Sequence, residues 1–169
     1  MLIVHNKEVP MEEILKILES DARITPEQIA TMTGLSLPEV KETIRQAEKD
    51  RTIVKYKTVV NWAKIGREEV WALIEVRLQP QREFGFDAVA ERIYRFPEVR
   101  SAYLVSGTYD LAVFVTGKSM QDVAGFVSRK LSTLESVQGT VTHFLLKRYK
   151  EDGEILEGDE KPKREPLIL

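Results

Sequence analysis

Residues 25–49 read TPEQIATMTGLSLPEVKETIRQAEK and carry the same helix-start signal twice. In Thr25-Pro26-Glu27-Gln28, Thr25 suits an N-cap, Pro26 suits the first helical position, and Gln28 can reach back to the Thr25 backbone. Ser36-Leu37-Pro38-Glu39 repeats the arrangement, with Ser36 as cap and Glu39 as the returning side chain. Gly34 stands between them, where a first helix ends on a residue free to adopt positive φ. The spacing predicts a short helix, a glycine turn and a longer helix. Ile29, Ala30 and Thr33 face inward from the first. Leu37, Val40, Ile44 and Ala47 share one side of the second. At about 100° per residue the opposite side carries Pro38, Glu42, Arg45, Gln46 and Lys49.

Working outward, Met11, Ile14, Leu15 and Leu18 form an upstream apolar stripe at helical spacing, and Asp21-Ala22-Arg23 breaks it. Helix, capped short helix, glycine turn and capped longer helix make a helix-turn-helix plan. Residues 53–60 are rich in β-branched side chains and are expected to form a strand or strand pair, a wing. Asn61 to Gly66 is expected to be a linker. From Val70 the period changes to two. Val70–Leu78, Val99–Val105, Asp110–Thr116 and a segment within Val137–Tyr149 read as strands. Phe86, Val89, Ala90 and Ile93 read as one helical stripe. Met120, Val123, Ala124, Val127 and Leu131, capped by Ser119, read as another. The order β-α-β-β-α-β is a ferredoxin-like unit. The expected fold class is α+β: a winged helix-turn-helix unit at 1–66, a ferredoxin-like unit at 67–150 and an acidic tail at 151–169.

The chain has 169 residues, 43% hydrophobic and 31% charged, with no cysteine and two histidines, His5 and His143. That excludes disulfides, thiolate metal sites and a cysteine nucleophile. No metal site, no cofactor and no catalytic constellation is expected, because the carboxylates are scattered and no phosphate-binding glycine loop is present. No apolar run approaches the ~20 residues of a bilayer span, and the opening MLIVHNKEVP lacks a basic n-region, so a cytoplasmic protein without a membrane partner is expected. The net charge is −2, with residues 1–66 balanced and the negative excess in 151–169.

The helix-turn-helix and βαββαβ order, over about residues 11–150, resembles the Lrp/AsnC (feast/famine) transcription regulators. The likeness lies in Ile14–Leu18 with Asp21-Ala22-Arg23-Ile24, in Gly34-Leu35-Ser36, in Val54-Lys55-Tyr56, in Val105-Ser106-Gly107-Thr108-Tyr109-Asp110, and in Thr140-Val141-Thr142. The resemblance implies a regulator that binds double-stranded DNA through its N-terminal unit. It implies sheet-to-sheet homodimers, often stacked into octamers, and an amino-acid-like effector bound between subunits. An architectural DNA-binding protein without effector response is the alternative.

For DNA reading the candidates are Ser36, Pro38, Lys41, Glu42, Arg45, Gln46, Lys49, Lys55 and Lys57. Arg45 suits guanine, Gln46 suits adenine, and Lys49, Lys55 and Lys57 suit phosphates. The same charges also suit internal ion pairs with Glu42 and Glu48. The helix is less basic than the family's commoner pattern. A neutral unit making about 3–4 phosphate contacts binds weakly alone, and several units on one assembly gain avidity. For the effector, Ser106, Gly107, Thr108, Tyr109 and Asp110 form the candidate loop. Gly107 would aim backbone N–H groups at a carboxylate, and Asp110 would accept from an ammonium or bond only its own loop. The resemblance adds Met120 and, from a partner subunit, Thr140, Thr142, His143 and Phe144. His143 would make the site pH-sensitive. Trp62 and Trp71 are expected to pack rather than stack on bases.

Overall fold

The computed structural model describes residues 8–67, 69–79 and 85–157. The expectations about residues 1–7, Pro80-Gln81 and the terminal Pro166-Leu167-Ile168-Leu169 lie outside them. Two compact units divide between Val60 and Asn61, a few residues before the boundary expected from the sequence.

The first unit holds three helices: α1 (Glu8–Ser20), α2 (Pro26–Thr33) and α3 (Leu37–Lys49). Both capping boxes form. The Thr25 side chain accepts from Gln28 N–H, and Gln28 Oε1 accepts from Thr25 N–H at 2.9 Å. Ser36 accepts from Glu39 N–H, and Glu39 Oε2 accepts from Ser36 N–H at 2.9 Å. Gly34 ends α2 at φ 72°, a left-handed conformation that costs a glycine little. The three helices close on Ile14, Leu18, Ile29 and Val40, with Ile17, Ile24, Leu35, Ile44 and Ile53 packed around them.

The expected strand or strand pair at 53–60 does not form. Ile53 N–H donates to Ala47 C=O at 2.8 Å, which turns the chain off the end of α3. Residues 54–60 then run without ladder partners among the described residues. β-branched composition predicts a strand only where a second strand is present to pair with it.

The second unit begins with a short 3₁₀ turn, Trp62–Ile65, ended by Gly66 at φ 71°. Asn61 belongs here: its Nδ2 donates to Leu156 C=O at 2.7 Å. Then follow β1 (Val70–Leu78), α4 (Asp87–Tyr94), β2 (Val99–Leu104), β3 (Leu111–Gly117) and α5 (Met120–Phe126), which continues as a π-helical turn over Val127–Leu131, and β4 (Val137–Leu145). The sheet order is β2-β3-β1-β4, all antiparallel, as the β-α-β-β-α-β reading requires. Alternation sends Ala72, Ile74 and Val76 of β1 and Val113 and Val115 of β3 into the core beneath α4 and α5. Phe96 and Phe126 meet there edge to face at 5.5 Å.

The start of the expected acidic tail is ordered. β5 (Lys150–Glu151) and β6 (Glu154–Ile155) form a hairpin around Asp152-Gly153, both at positive φ. Asp-Gly is the dipeptide such a two-residue turn demands. Lys147 pairs with Glu157 at 2.6 Å across it.

Candidate functional site

α3 is amphipathic in fact as in pattern: Val40 and Ala47 are buried, while Pro38, Lys41, Glu42, Arg45, Gln46 and Lys49 are exposed. Its charges are already engaged. Arg45 donates Nε–H to Glu42 Oε2 at 2.9 Å and Nη2–H to Glu42 Oε1 at 2.6 Å. The hydrogen bond and charge of Arg45 hold the Glu42 carboxyl below its ordinary range. Lys41 reaches Glu27 of α2 at 3.1 Å. Tyr56 O–H donates to Glu48 Oε1 at 2.9 Å, tying the chain beyond α3 back to the helix. Burial, with Glu48 beside it, raises the Tyr56 phenol above its usual range. The sequence paired Glu48 with a basic side chain of α3; its partner is a tyrosine eight positions on. Ser36 is spent as a cap, its Oγ also donating to Glu39 Oε2 at 2.6 Å. Lys55 and Lys57 lie exposed on the segment after α3.

The sheet unit has two contrasting faces. One is sealed by α4 and α5. The other carries Trp71, Leu73, Glu75 and Arg77 of β1 beside Phe114 and Thr116 of β3, Tyr103 of β2, and Val141, His143 and Leu145 of β4. Tyr103 is 55% exposed and Val141 53%. Tyr103 packs edge to face on Phe114 at 6.3 Å. Arg148 stacks on Trp71 at 4.7 Å, and the Trp71 indole N–H is buried without an acceptor among the described residues. A concavity of about 540 Å³ lies between this face and residues 147–152. Trp62 also packs, under the Arg67 guanidinium at 5.0 Å. His143 sits mid-face with Nε2 3.1 Å from Glu75 Oε1, a partner the sequence reading missed.

The candidate effector residues are not all brought together. Ser106, Gly107 and Thr108 are exposed and Tyr109 and Asp110 half-buried in the turn from β2 to β3. The Asp110 carboxylate already has a donor: Oδ2 accepts from Leu78 N–H at 2.7 Å, just past the last β1–β3 pair. Asp110 N–H donates to Val76 C=O and its C=O accepts from Val105 N–H. Asp110 thus closes the end of the ladder across to β1, rather than bonding only within its own turn.

Thr140, Thr142 and Phe144 pair with Val76, Ile74 and Ala72 and so point to the helix side of the sheet. His143, paired with Leu73, points to the other. Thr140 lies at the same end as the 105–110 turn. Met120 follows β3 and lies at the opposite end, about 20 Å along the strand from Leu111 at ~3.3 Å per residue. Within one chain, Met120 and His143 do not share a site with the turn. A period-2 strand cannot present Thr140, Thr142, His143 and Phe144 together, and that much was legible in the sequence.

Among the described residues no cluster of His, Asp or Glu is arranged to hold a metal, and no helix is long and apolar enough to cross a membrane.

A helix-turn-helix unit with an exposed, polar second helix, joined to a βαββαβ unit, defines a two-part regulator: one part for DNA, one for ligand. A winged helix-turn-helix DNA-binding model matches residues 12–54, and the Lrp/AsnC ligand binding domain matches residues 71–155. The HTH-type transcriptional regulator YugG of Bacillus subtilis is 52% identical over 90% of this chain and 92% of its own. The leucine-responsive regulatory protein of Rhizobium meliloti is 29% identical over 82% of this chain and 88% of its own. A Neisseria meningitidis transcriptional regulator solved as an L-Met complex superposes with a TM-score of 0.67, at 21% identity over 84% of this chain and 91% of that one. The chain belongs to the Lrp/AsnC family of transcriptional regulators: it is a DNA-binding regulator with a ligand-binding unit, not an enzyme.

Proposed function

We propose that this regulator acts as an assembly of identical chains that pair through the uncovered sheet face, bind double-stranded DNA through α3 and respond to an amino-acid-like effector. The observation that carries the reading is the contrast between the two sheet faces. A sheet that seals one side with two helices and leaves Trp71, Leu73, Phe114, Tyr103, Val141 and Leu145 on the other has a second apolar surface to bury. A second copy presents the same surface, and a two-fold pairing satisfies both at once. The buried Trp71 N–H, without an acceptor among the described residues, supports a face completed by another chain.

Pairing puts at least two copies of α3 on one particle, which offsets the weak binding of a unit whose charges are balanced and paired. Further stacking to an octamer is the larger form of the same assembly. Lys49, Lys55 and Lys57 serve as phosphate contacts and Arg45 and Gln46 as base contacts in this reading.

The effector reading centres on the end of the sheet where the 105–110 turn meets Thr140. The relative bound to L-Met and the relative named for leucine support an amino acid there. The prior engagement of Asp110 by Leu78 N–H favours recognition by the backbone of Ser106, Gly107 and Thr108 over an ammonium bound to the Asp110 carboxylate. It also lends weight to the alternative, an architectural DNA-binding protein without effector response.

The test is a gel-shift titration of the full chain on DNA from upstream of its own gene, against unrelated DNA, with and without the twenty amino acids. Specific shifts altered by the mixture support the proposal. Specific shifts that no amino acid alters favour the architectural alternative, and no specific shift overturns the DNA reading.

A further inference from the structure

The Glu42–Arg45 pair contributes little that helix α3 needs for its own stability. The two side chains are 62% and 65% exposed, and ion pairs at such positions are screened by water. Its geometry carries more. Glu42 takes Nε–H and one Nη2–H of Arg45. A guanidinium is a planar group with five N–H donors, and these two lie along one edge. The other edge, formed by Nη1 and the second Nη2–H, keeps two parallel donors. Guanine presents two acceptors, O6 and N7, in the major groove with the matching spacing.

We infer that Glu42 is a positioning residue for Arg45: it grips the Nε/Nη2 edge of the guanidinium so that the adjacent Nη1/Nη2 edge is presented to a guanine, and the two side chains read as one unit. The inference rests on α3 being the DNA-reading helix. Both residues lie on the face turned away from Val40, Ile44 and Ala47. A long, exposed arginine normally loses rotamer freedom when it binds, and a grip formed beforehand removes part of that cost. Glu42 also changes what Arg45 can bind. A free guanidinium donates to any phosphate, whereas the carboxylate on the flank of this one repels phosphate and leaves two donors for a base edge. The neutral charge of the reading helix is then a selectivity device: it gives up general affinity for DNA and gains preference for sequence.

The hydrogen bond and charge of Arg45 hold the Glu42 carboxyl below its ordinary range.

The experiment is selection from a randomised duplex library by the full-length protein, followed by sequencing. Wild type, Glu42→Gln, Glu42→Ala and Arg45→Ala are compared, each also titrated on unrelated DNA and melted. Wild type is expected to enrich guanine at one position per half-site, and Arg45→Ala to lose that position. Both Glu42 variants are expected to weaken the same guanine preference about tenfold, the scale of a bidentate base contact. They leave other positions intact, bind unrelated DNA several-fold more tightly and melt as wild type does. Glu42 variants that keep the guanine preference overturn the inference while leaving the role of Arg45 standing. An Arg45→Ala that retains every preference overturns the reading of Arg45 itself, and the grip with it.

Discussion

The helix-turn-helix unit and the sheet unit solve the burial problem in opposite ways. The first closes a small core around Ile14, Leu18, Ile29 and Val40, and its exposed charges find partners inside the unit, as Arg45 finds Glu42 on the same helix and Lys41 finds Glu27 on α2. The second builds a larger core on one face of its sheet and leaves the other face largely apolar, crossed by the Glu75–His143 pair. A self-contained unit can work as a reading head. On the proposed reading the half-covered sheet is a joint, and the difference separates what one chain does alone from what it does with a copy of itself.

The sharpest way to break the comparison is to charge the joint. Phe114→Glu places a carboxylate on the uncovered face without touching Ile74, Val113 or Val115 beneath it. Its expected effect is loss of assembly, read as halving of the sedimenting mass or more, with the helical content kept and DNA affinity reduced by about 10²-fold or more as avidity is lost. The corresponding change in the first unit strikes a core. Ile29→Ala truncates a fully buried side chain at the centre of that core, at a cost of roughly 2–5 kcal/mol. Calorimetry of the full chain should show the helix-turn-helix transition lost and the sheet transition kept.

Asp110→Ala tests the end of the sheet. It leaves Leu78 N–H without its acceptor and should lower the sheet unit's stability by about 1–3 kcal/mol. An effector response that survives the substitution argues for the backbone of the turn as the recognition element. Ser36→Ala removes the α3 cap, for about 1 kcal/mol from the first unit only.

The smallest effect concerns acid. Burial works to raise the Glu98 carboxyl, but the hydrogen bond from Lys130 and the Glu98 backbone outweigh it and hold the group below its ordinary 4.5. Stability from a lowered carboxyl is present above the unfolded value and is lost as pH falls through the folded one. Wild type should therefore exceed Lys130→Met by under about 1 kcal/mol at pH 7, with the gap closing as the solution is acidified towards the folded value. Thermal melts at each pH read it directly.

Legibility divided along the same line as the two units. Caps act within three residues, so Thr25-Gln28, Gly34 and Ser36-Glu39 could be read from the string and recur in the structure. Strand order followed because alternation marks β1 and β3, and few topologies join βαββαβ. What was not legible depends on who pairs with whom. Residues 53–60 look like a strand but have no neighbouring strand among the described residues, and Glu75 gave no sign that it would meet His143 from 68 positions away. The candidate effector residues lie on two faces and at two ends of the sheet within one chain, an arrangement that family resemblance does not reveal. The Asp152-Gly153 turn is a local hairpin signal set among the charges of the tail.

The most direct test of a self-contained reading head carried on an incomplete sheet is sedimentation velocity of the wild-type chain over a dilution series. A particle of at least twice the 19.4 kDa chain mass, persisting to low micromolar concentration, is the expected result. A 19.4 kDa particle throughout, with the apolar face exposed to water and no tendency to pair, would contradict it.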